Sequence, residues 1–360
     1  MKWLAGCLMV LLACDGAGTQ VRLPDGGDAD AFVLDTGPER SVMDALPVSP
    51  DAAEGRDAPV DLTAVDAGGE APGGPRPTTL TWVPEAPNAR GDIIRGTAPN
   101  DIWLVSKGGD IWHSRGDGTW QDRSDERNWQ LTGVWGSSPN DVYVSVLANF
   151  VYHWNGTAWA KQTDGIPIGL TYRTIWGSGP TDIFVAGPSI YRSSGDGRWV
   201  GQTVPLNVGP FVDSWGSGPS DVWVLGGDGG VARWRGDGQW RTQAGARERG
   251  AVGIWGSGPN DVYVLYFDAV VHTDGSGTWT MQSVPEKRGP DETFNAIWGS
   301  GPTDVYIGGS DGRLFHSQGD GRWFAELIDP QLPKVDVYAI WGSGANDVYL
   351  ATLGGVYRGR

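Results

Sequence analysis

From residue 78 onward, apolar and polar positions alternate in short runs broken by Gly, Pro, Asn and Asp. Residues 131–163 show the unit clearly. An apolar run at 131–135 leads to a turn at 136–140. Residues 141–146 alternate with β-branched and aromatic side chains, and 150–154 alternate again. Asn155-Gly156 then makes a tight turn before 158–162, which carries Trp159. A period of two between turn residues is the pattern of half-covered strands, and Asn-Gly is a strong hairpin turn. No segment of the unit shows a 3.6-residue period, so four strands and no helix are expected.

The unit recurs. Trp135-Gly136-Ser137-Ser138-Pro139-Asn140-Asp141-Val142-Tyr143 returns at 176–184, 215–223, 255–263, 298–306 and 341–349, and a worn copy with Arg95 in the Trp position spans 95–103. The steps are 40, 41, 39, 40, 43 and 43 residues. Four short strands at such a period are the composition of a β-propeller blade. The longest connections (121–130, 163–170, 201–210, 241–250, 281–292 and 325–335) all follow the late Trp strand and precede the next Trp-Gly. Only the step from an outer strand to the next inner strand must cross a whole sheet. The Trp-Gly strand is therefore innermost (A), followed outward by B, C and D.

The A–B motif occurs seven times, but the C–D hairpin only six, with Trp120, Trp159, Trp199, Trp240, Trp279 and Trp323 on strand D. The missing D strand is at the other end, at 78–83 with Trp82. The expected fold is all-β: a seven-bladed β-propeller, four antiparallel strands per blade, with the last blade closed three plus one by the N-terminal strand. The alternative, an open array of the same units, leaves two bare sheet edges.

The C–D turns Ser114-Arg115-Gly116-Asp117-Gly118-Thr119-Trp120, 193–199 and 317–323, with looser copies at 234–240 and 273–279, resemble the Asp-box of BNR repeats, one residue shorter than that family's spacing. The region 77–360 as a whole resembles exported bacterial β-propeller lipoproteins. The resemblance implies that these turns are structural and face away from any active site. A sialidase within it would need three converging arginines and a Tyr–Glu pair, which no pattern here matches.

Composition divides the chain. Lys2 and the apolar run 3–13 read as an export signal too short to span a bilayer. Leu11-Leu12-Ala13-Cys14 resembles a lipobox, which makes Cys14 the expected lipidation site and places the protein in the bacterial envelope, on the outer membrane or cell surface. Residues 15–76 hold 13 Asp or Glu against four Arg and one aromatic, Phe32. Such a chain cannot bury enough apolar surface to order itself, so 14–76 is expected to be a disordered tether. The domains are thus 1–13, 14–76 and 77–360. The cysteines, Cys7 and Cys14, allow no disulfide or thiolate site in the mature chain. The net charge of −16 disfavours nucleic acid, and lipid contact is expected through the anchor alone.

His113, His153, Arg192, Arg233, His272, His316 and Arg358 share one slot of strand C. A hydrogen bond or ion pair to the recurring acid (Asp101, Asp141, Asp182, Asp221, Asp261, Asp304 or Asp347) is expected rather than a metal site, because ligands must converge. No cofactor is expected. Gly227-Asp228-Gly229 lacks the spaced carboxylates of a calcium loop. The A–B and C–D turns share one uniform face, whereas the B–C turns and D–A connections share the face where the copies diverge. Trp129, Phe150, Tyr172, Arg173, Phe211, Tyr266, Phe267, Phe294 and Tyr338 fall there and are the candidate ligand contacts, with Glu126, Arg127, Glu286, Lys287 and Arg288 nearby. Variable loops on a rigid frame suit recognition of a protein or glycan. The competing reading, a propeller-type glycosidase, needs paired carboxylates, for which Asp213, Asp291, Glu292 and Asp336 are the candidates.

Overall fold

The computed structural model describes residues 77–86, 88–124, 129–147, 150–205, 209–243, 250–285, 292–328 and 335–360. The leader, Cys14, the acidic segment to residue 76, Glu126, Arg127, Glu286, Lys287, Arg288 and Asp291 lie outside the described residues. Seven four-stranded sheets form in the order A-B-C-D. In blade 4 these strands are Phe211–Gly218, Asp221–Gly226, Val231–Trp234 and Trp240–Gln243, antiparallel throughout. A single 3-10 turn, Ser310–Gly312, is the only helical element among the described residues.

Strand A runs longer than its apolar run suggests. In blade 2 it spans Leu131–Ser138, leaving only Pro139 and Asn140 as the turn. The register slips between Gly136 and Ser138, so Ser137 is the extra residue of a bulge. The same slip places Thr97, Ser178, Ser217, Ser257, Ser300 and Ser343 in the other blades.

Closure is three plus one. Trp82–Ala86, a few residues later than the sequence indicates, pairs antiparallel with Gly355–Gly359. Thr81 and Arg360 exchange backbone hydrogen bonds of 3.0 and 3.2 Å. Seven apolar clusters fill the seven gaps between neighbouring blades, so each sheet is covered on both sides. In six of these gaps the strand D Trp of one blade stands edge-on to the strand B aromatic of the blade before it. Trp159 on Trp103, Trp199 on Tyr143, Trp240 on Phe184, Trp279 on Trp223, Trp323 on Tyr263 and Trp82 on Tyr306 have centroids 6.0–6.4 Å apart at 80–90°. Edge-to-face pairs add about 0.5–1.5 kcal/mol beyond their burial.

The Trp-Gly dipeptide explains the inner wall. Each strand A Trp lies against the glycine that follows the Trp position in the next blade. A Cβ at Gly177 would fall 2.6 Å from the Trp135 ring, and Gly216, Gly256, Gly299 and Gly342 seat Trp176, Trp215, Trp255 and Trp298 at 2.6–2.8 Å. Gly96 seats Trp341 and closes the ring. The ring is broken once. At Gly136 the position is held by Arg95, and the nearest atom of blade 1 is Thr97 Cγ2, at 3.4 Å.

Candidate functional site

One constellation recurs in every blade. The strand B acid accepts through one oxygen from the bulged Ser or Thr and through the other from the strand C His or Arg. Asp221 takes Ser217 at 2.6 Å and Arg233 Nε at 2.6 Å, and Asp347 takes Ser343 at 2.5 Å and Arg358 Nε at 2.6 Å. Asp182 takes Ser178 at 2.5 Å and Arg192 Nε at 2.6 Å. The imidazole Nε2 atoms of His113, His153, His272 and His316 lie 2.6–2.7 Å from Asp101, Asp141, Asp261 and Asp304. These four acids also accept from Thr97, Ser137, Ser257 and Ser300. The aromatic two residues after each acid covers the cation or ring. Tyr306 stacks on His316 at 3.9 Å, and Arg233 lies 4.4 Å over Trp223. Two of the arginines also reach the next blade, Arg233 donating to the Pro259 carbonyl and Arg358 to the Gly116 carbonyl, each at 2.9 Å. Among the described residues, no group of three or more His, Cys, Asp or Glu is placed to hold a metal.

The C–D turns are built alike. Gly116 and Gly118 take positive φ (72° and 86°), and Asp117 accepts from the Thr119 amide at 2.9 Å. The Asp228 carboxylate caps the Gly230 amide at 3.0 Å, which makes a turn.

The central channel is where the copies differ. It is a cavity of about 340 Å³ lined by strand A of all seven blades. Its mouth, on the irregular face, carries Asp92, Thr132, Arg173, Asn295 and Tyr338, and the six Trp rings wall it further in. Gly133, Gly253, Ala296 and Ala339, small residues two before the Trp position, leave the cavity its volume. At that level stands Asp213. Its carboxylate accepts from the amides of Ser214 and Ile254, each at 2.9 Å, and lies 3.5 Å from the Thr174 hydroxyl. Burial pushes its pKa above the usual carboxylate value, while Arg95 and the hydrogen bonds pull the other way. Arg95, on the far side of the ring, has its pKa lowered by burial, and the Asp213 charge opposes that. What surface Arg95 keeps opens into the channel. Asp213 belongs to a set of polar links between inner strands, with Thr132 to the Tyr172 carbonyl (2.5 Å), Thr174 to Ser214 (2.8 Å) and Asn295 to the Val337 carbonyl (3.3 Å).

The aromatic candidates are mostly not on the surface, which corrects the sequence reading. Trp129, Tyr172, Phe211, Tyr266 and Phe294 are all buried. Trp129 stacks on Tyr152 at 4.0 Å, Tyr172 donates to the Pro167 carbonyl at 3.2 Å, and Phe294 stands edge-on to Phe315 at 6.0 Å. Phe211 and Phe294 begin strand A, Tyr266 ends strand B, and Trp129 and Tyr172 lie two residues before strand A. There the side chain turns between two blades instead of outward. Phe150 is half-buried under the Lys161 ammonium, 3.1 Å above its ring. Arg173 and Tyr338 stand at the channel mouth, and Phe267 is exposed. The carboxylates do not converge either. Glu292 pairs with Arg313, and Asp336 accepts from the Asp311 amide at 3.0 Å, so of the described candidates only Asp213 lines the channel, with Asp92 at its mouth.

Sequence reasoning passed over two features. One is Arg95, whose signal was the single break in the Trp pattern. The other is the apolar surface. Of seven exposed large apolar side chains among the described residues, Leu147, Ile168, Phe267, Leu327 and Leu353 (41–68% exposed) lie in B–C turns or D–A connections of the irregular face. The other two, Val83 and Val200, are on outer strands, so the Gly-Asp-Gly face shows none.

No family model and no curated protein sequence matches the chain. Solved structures match in shape. YCF48 bound to a D1 peptide is 18% identical with a TM-score of 0.61, over 79% of this chain and 93% of that chain. A catalytically inactive virginiamycin B lyase from Staphylococcus aureus with quinupristin is 15% identical with a TM-score of 0.64, over 78% and 98%. The WD40 β-propeller domain of Doa1 is 11% identical with a TM-score of 0.60, over 78% and 96%. At such identities the likeness is one of fold, and it agrees with the seven sheets and their closure: the chain is a seven-bladed β-propeller.

Proposed function

We propose that residues 77–360 form a non-catalytic binding module that docks a protein segment on the irregular face, around the channel mouth. The observation that carries this is the grouping of exposed apolar side chains. Leu147, Ile168, Phe267, Leu327 and Leu353 share the face where the loops differ, and among the described residues the uniform face has none. Scattered apolar residues over a polar mouth suit a protein contact. A glycan would call for exposed rings, and of the candidate aromatics only Phe267 is exposed, at 50%. The same fold in YCF48 is bound to a peptide. A glycosidase is less well supported, since Glu292 and Asp336 are engaged elsewhere and Asp213 is held by two backbone amides. The head is read as held on the envelope by a lipid on Cys14 through the acidic segment. Cys14→Ser should then move the protein from the membrane to the soluble fraction.

Panning a displayed peptide library and a glycan array on the purified full-length chain tests the binding reading. Selected peptides should lose at least tenfold in affinity on Leu353→Asp or Phe267→Asp. Glycans bound in place of peptides, or binders indifferent to both substitutions, would overturn it.

A further inference from the structure

We infer that the channel anchors a carboxylate of the bound partner on Arg95, an assignment that rests on reading the irregular face as the docking surface. Six of the seven inner-wall positions hold a Trp seated on glycine, and Arg95 alone replaces ring packing with charge. A guanidinium has five N–H donors. Here one of its nitrogens bonds the Ile94 carbonyl at 2.9 Å, and the rest of the group fronts the cavity. Arg95 is half-buried, so these donors face the cavity, where water or a ligand group must accept from them.

Asp213 does not fill that role. Its oxygens already take the Ser214 and Ile254 amides and lie near the Thr174 hydroxyl. It balances the charge of Arg95 across the channel while its acceptors serve the joints between blades. With three groups already on its two oxygens, Asp213 leaves an incoming amine little to bind, whereas an acid finds the free donors of Arg95. The form of the anion follows from the same geometry. A planar monoanion matches the guanidinium fork. A phosphate would bring a second negative charge against Asp213 and Asp92. The route in passes the exposed Arg173 guanidinium and Tyr338, whose hydroxyl bonds Asp336. A cavity of about 340 Å³ takes a chain end or one side chain, not a folded element.

The test uses the full-length chain and a matched pair of probes, N-acetylglycine and N-acetylglycinamide, followed by ligand-observed NMR. The acid should bind and the amide should not, a comparison that needs no variant. Arg95→Gln should weaken the acid on the order of 10- to 100-fold, as expected for losing a charged hydrogen-bond pair, and Arg95→Lys should keep part of it. Thermal melts of both variants establish that they fold. Peptides selected on the irregular face should then be compared as C-terminal acids, as amides, and as amides with an internal Asp. Loss in the first comparison identifies a chain terminus, and rescue in the second identifies a side chain. Equal binding of acid and amide, no binding of either, or unchanged binding to Arg95→Gln would overturn the proposal. Small-acid binding without peptide binding would sink the docking reading and spare the channel.

Discussion

Trp82 stands edge-on to Tyr306, with ring centroids 6.4 Å apart at 89°, the same relation that Trp323 holds to Tyr263 one blade earlier. Trp82 comes from the first described strand and Tyr306 from the sixth blade, so the contact ties the start of the domain to its end. Trp82→Ala should cost about 3–5 kcal/mol, as for a buried aromatic removed from a core. It should also free the closing strand. Urea unfolding would show the loss, and amide exchange at Val83 and Gly359 should accelerate more than in the blade 3 core. An effect spread evenly over all blades would contradict the closure argument.

The seating of Trp on Gly makes a graded prediction. Alanine at Gly177 meets the Trp135 ring at 2.6 Å and the Asp182 carbonyl at 2.8 Å. Alanine at Gly136 meets nothing closer than 3.0 Å, because no Trp precedes it. Gly177→Ala should lose about 1–3 kcal/mol by overpacking, and Gly136→Ala distinctly less. Differential scanning calorimetry on the two variants decides it, and equal losses would mean that Trp packing is not what the glycine serves.

The acid pairs differ in how much they lose when broken. Asp221 and Arg233 are each 9% exposed, so Asp221→Ala strands a buried guanidinium and should cost about 3–5 kcal/mol. Asp141 pairs with His153 at a more open site, where the side chains are 21% and 23% exposed and water can replace a lost partner. Asp141→Ala should therefore cost about 1–2 kcal/mol. Urea midpoints measured in parallel would expose a reversed order.

One pair gives a pH signature. Burial works to lower the His316 pKa, but its hydrogen bonds to Asp304 and Glu326 outweigh it, and the ring titrates above 6.5. Burial works to raise Asp304, but hydrogen bonds from His316 and Ser300 outweigh it, and the acid titrates below 3.8. The raised histidine stabilises fully below its unfolded value, and that stability is lost as pH climbs through its folded value. The depressed acid stabilises above its unfolded value, and that is lost as pH falls through its folded one. The gap in urea stability between wild type and His316→Gln should be widest at about pH 5 and narrow toward strong acid and toward alkali. A gap flat across pH would refute the charged pair.

The sequence by itself determined the architecture, because the architecture is local and repeated. Asp141 needs Ser137 four residues before it and His153 twelve after it, and in all seven blades a Ser or Thr stands four before the acid and a His or Arg ten to twelve after it. The absent D-strand Trp pointed to Trp82 by the same arithmetic. What the sequence did not separate was inside from outside on the irregular face. Strand alternation tells two sides of a sheet apart, but in a propeller a neighbouring blade covers each side. Tyr172, Phe211 and Phe294 are therefore buried at strand starts that read as loop ends, while Leu353 and Leu327 stay exposed. Nor does any local rule bring Arg95 of blade 1 and Asp213 of blade 4 to one cavity. Only closing seven strands around a common axis does so, since the packing of each Trp on the next glycine sets the radius at which opposite blades face each other.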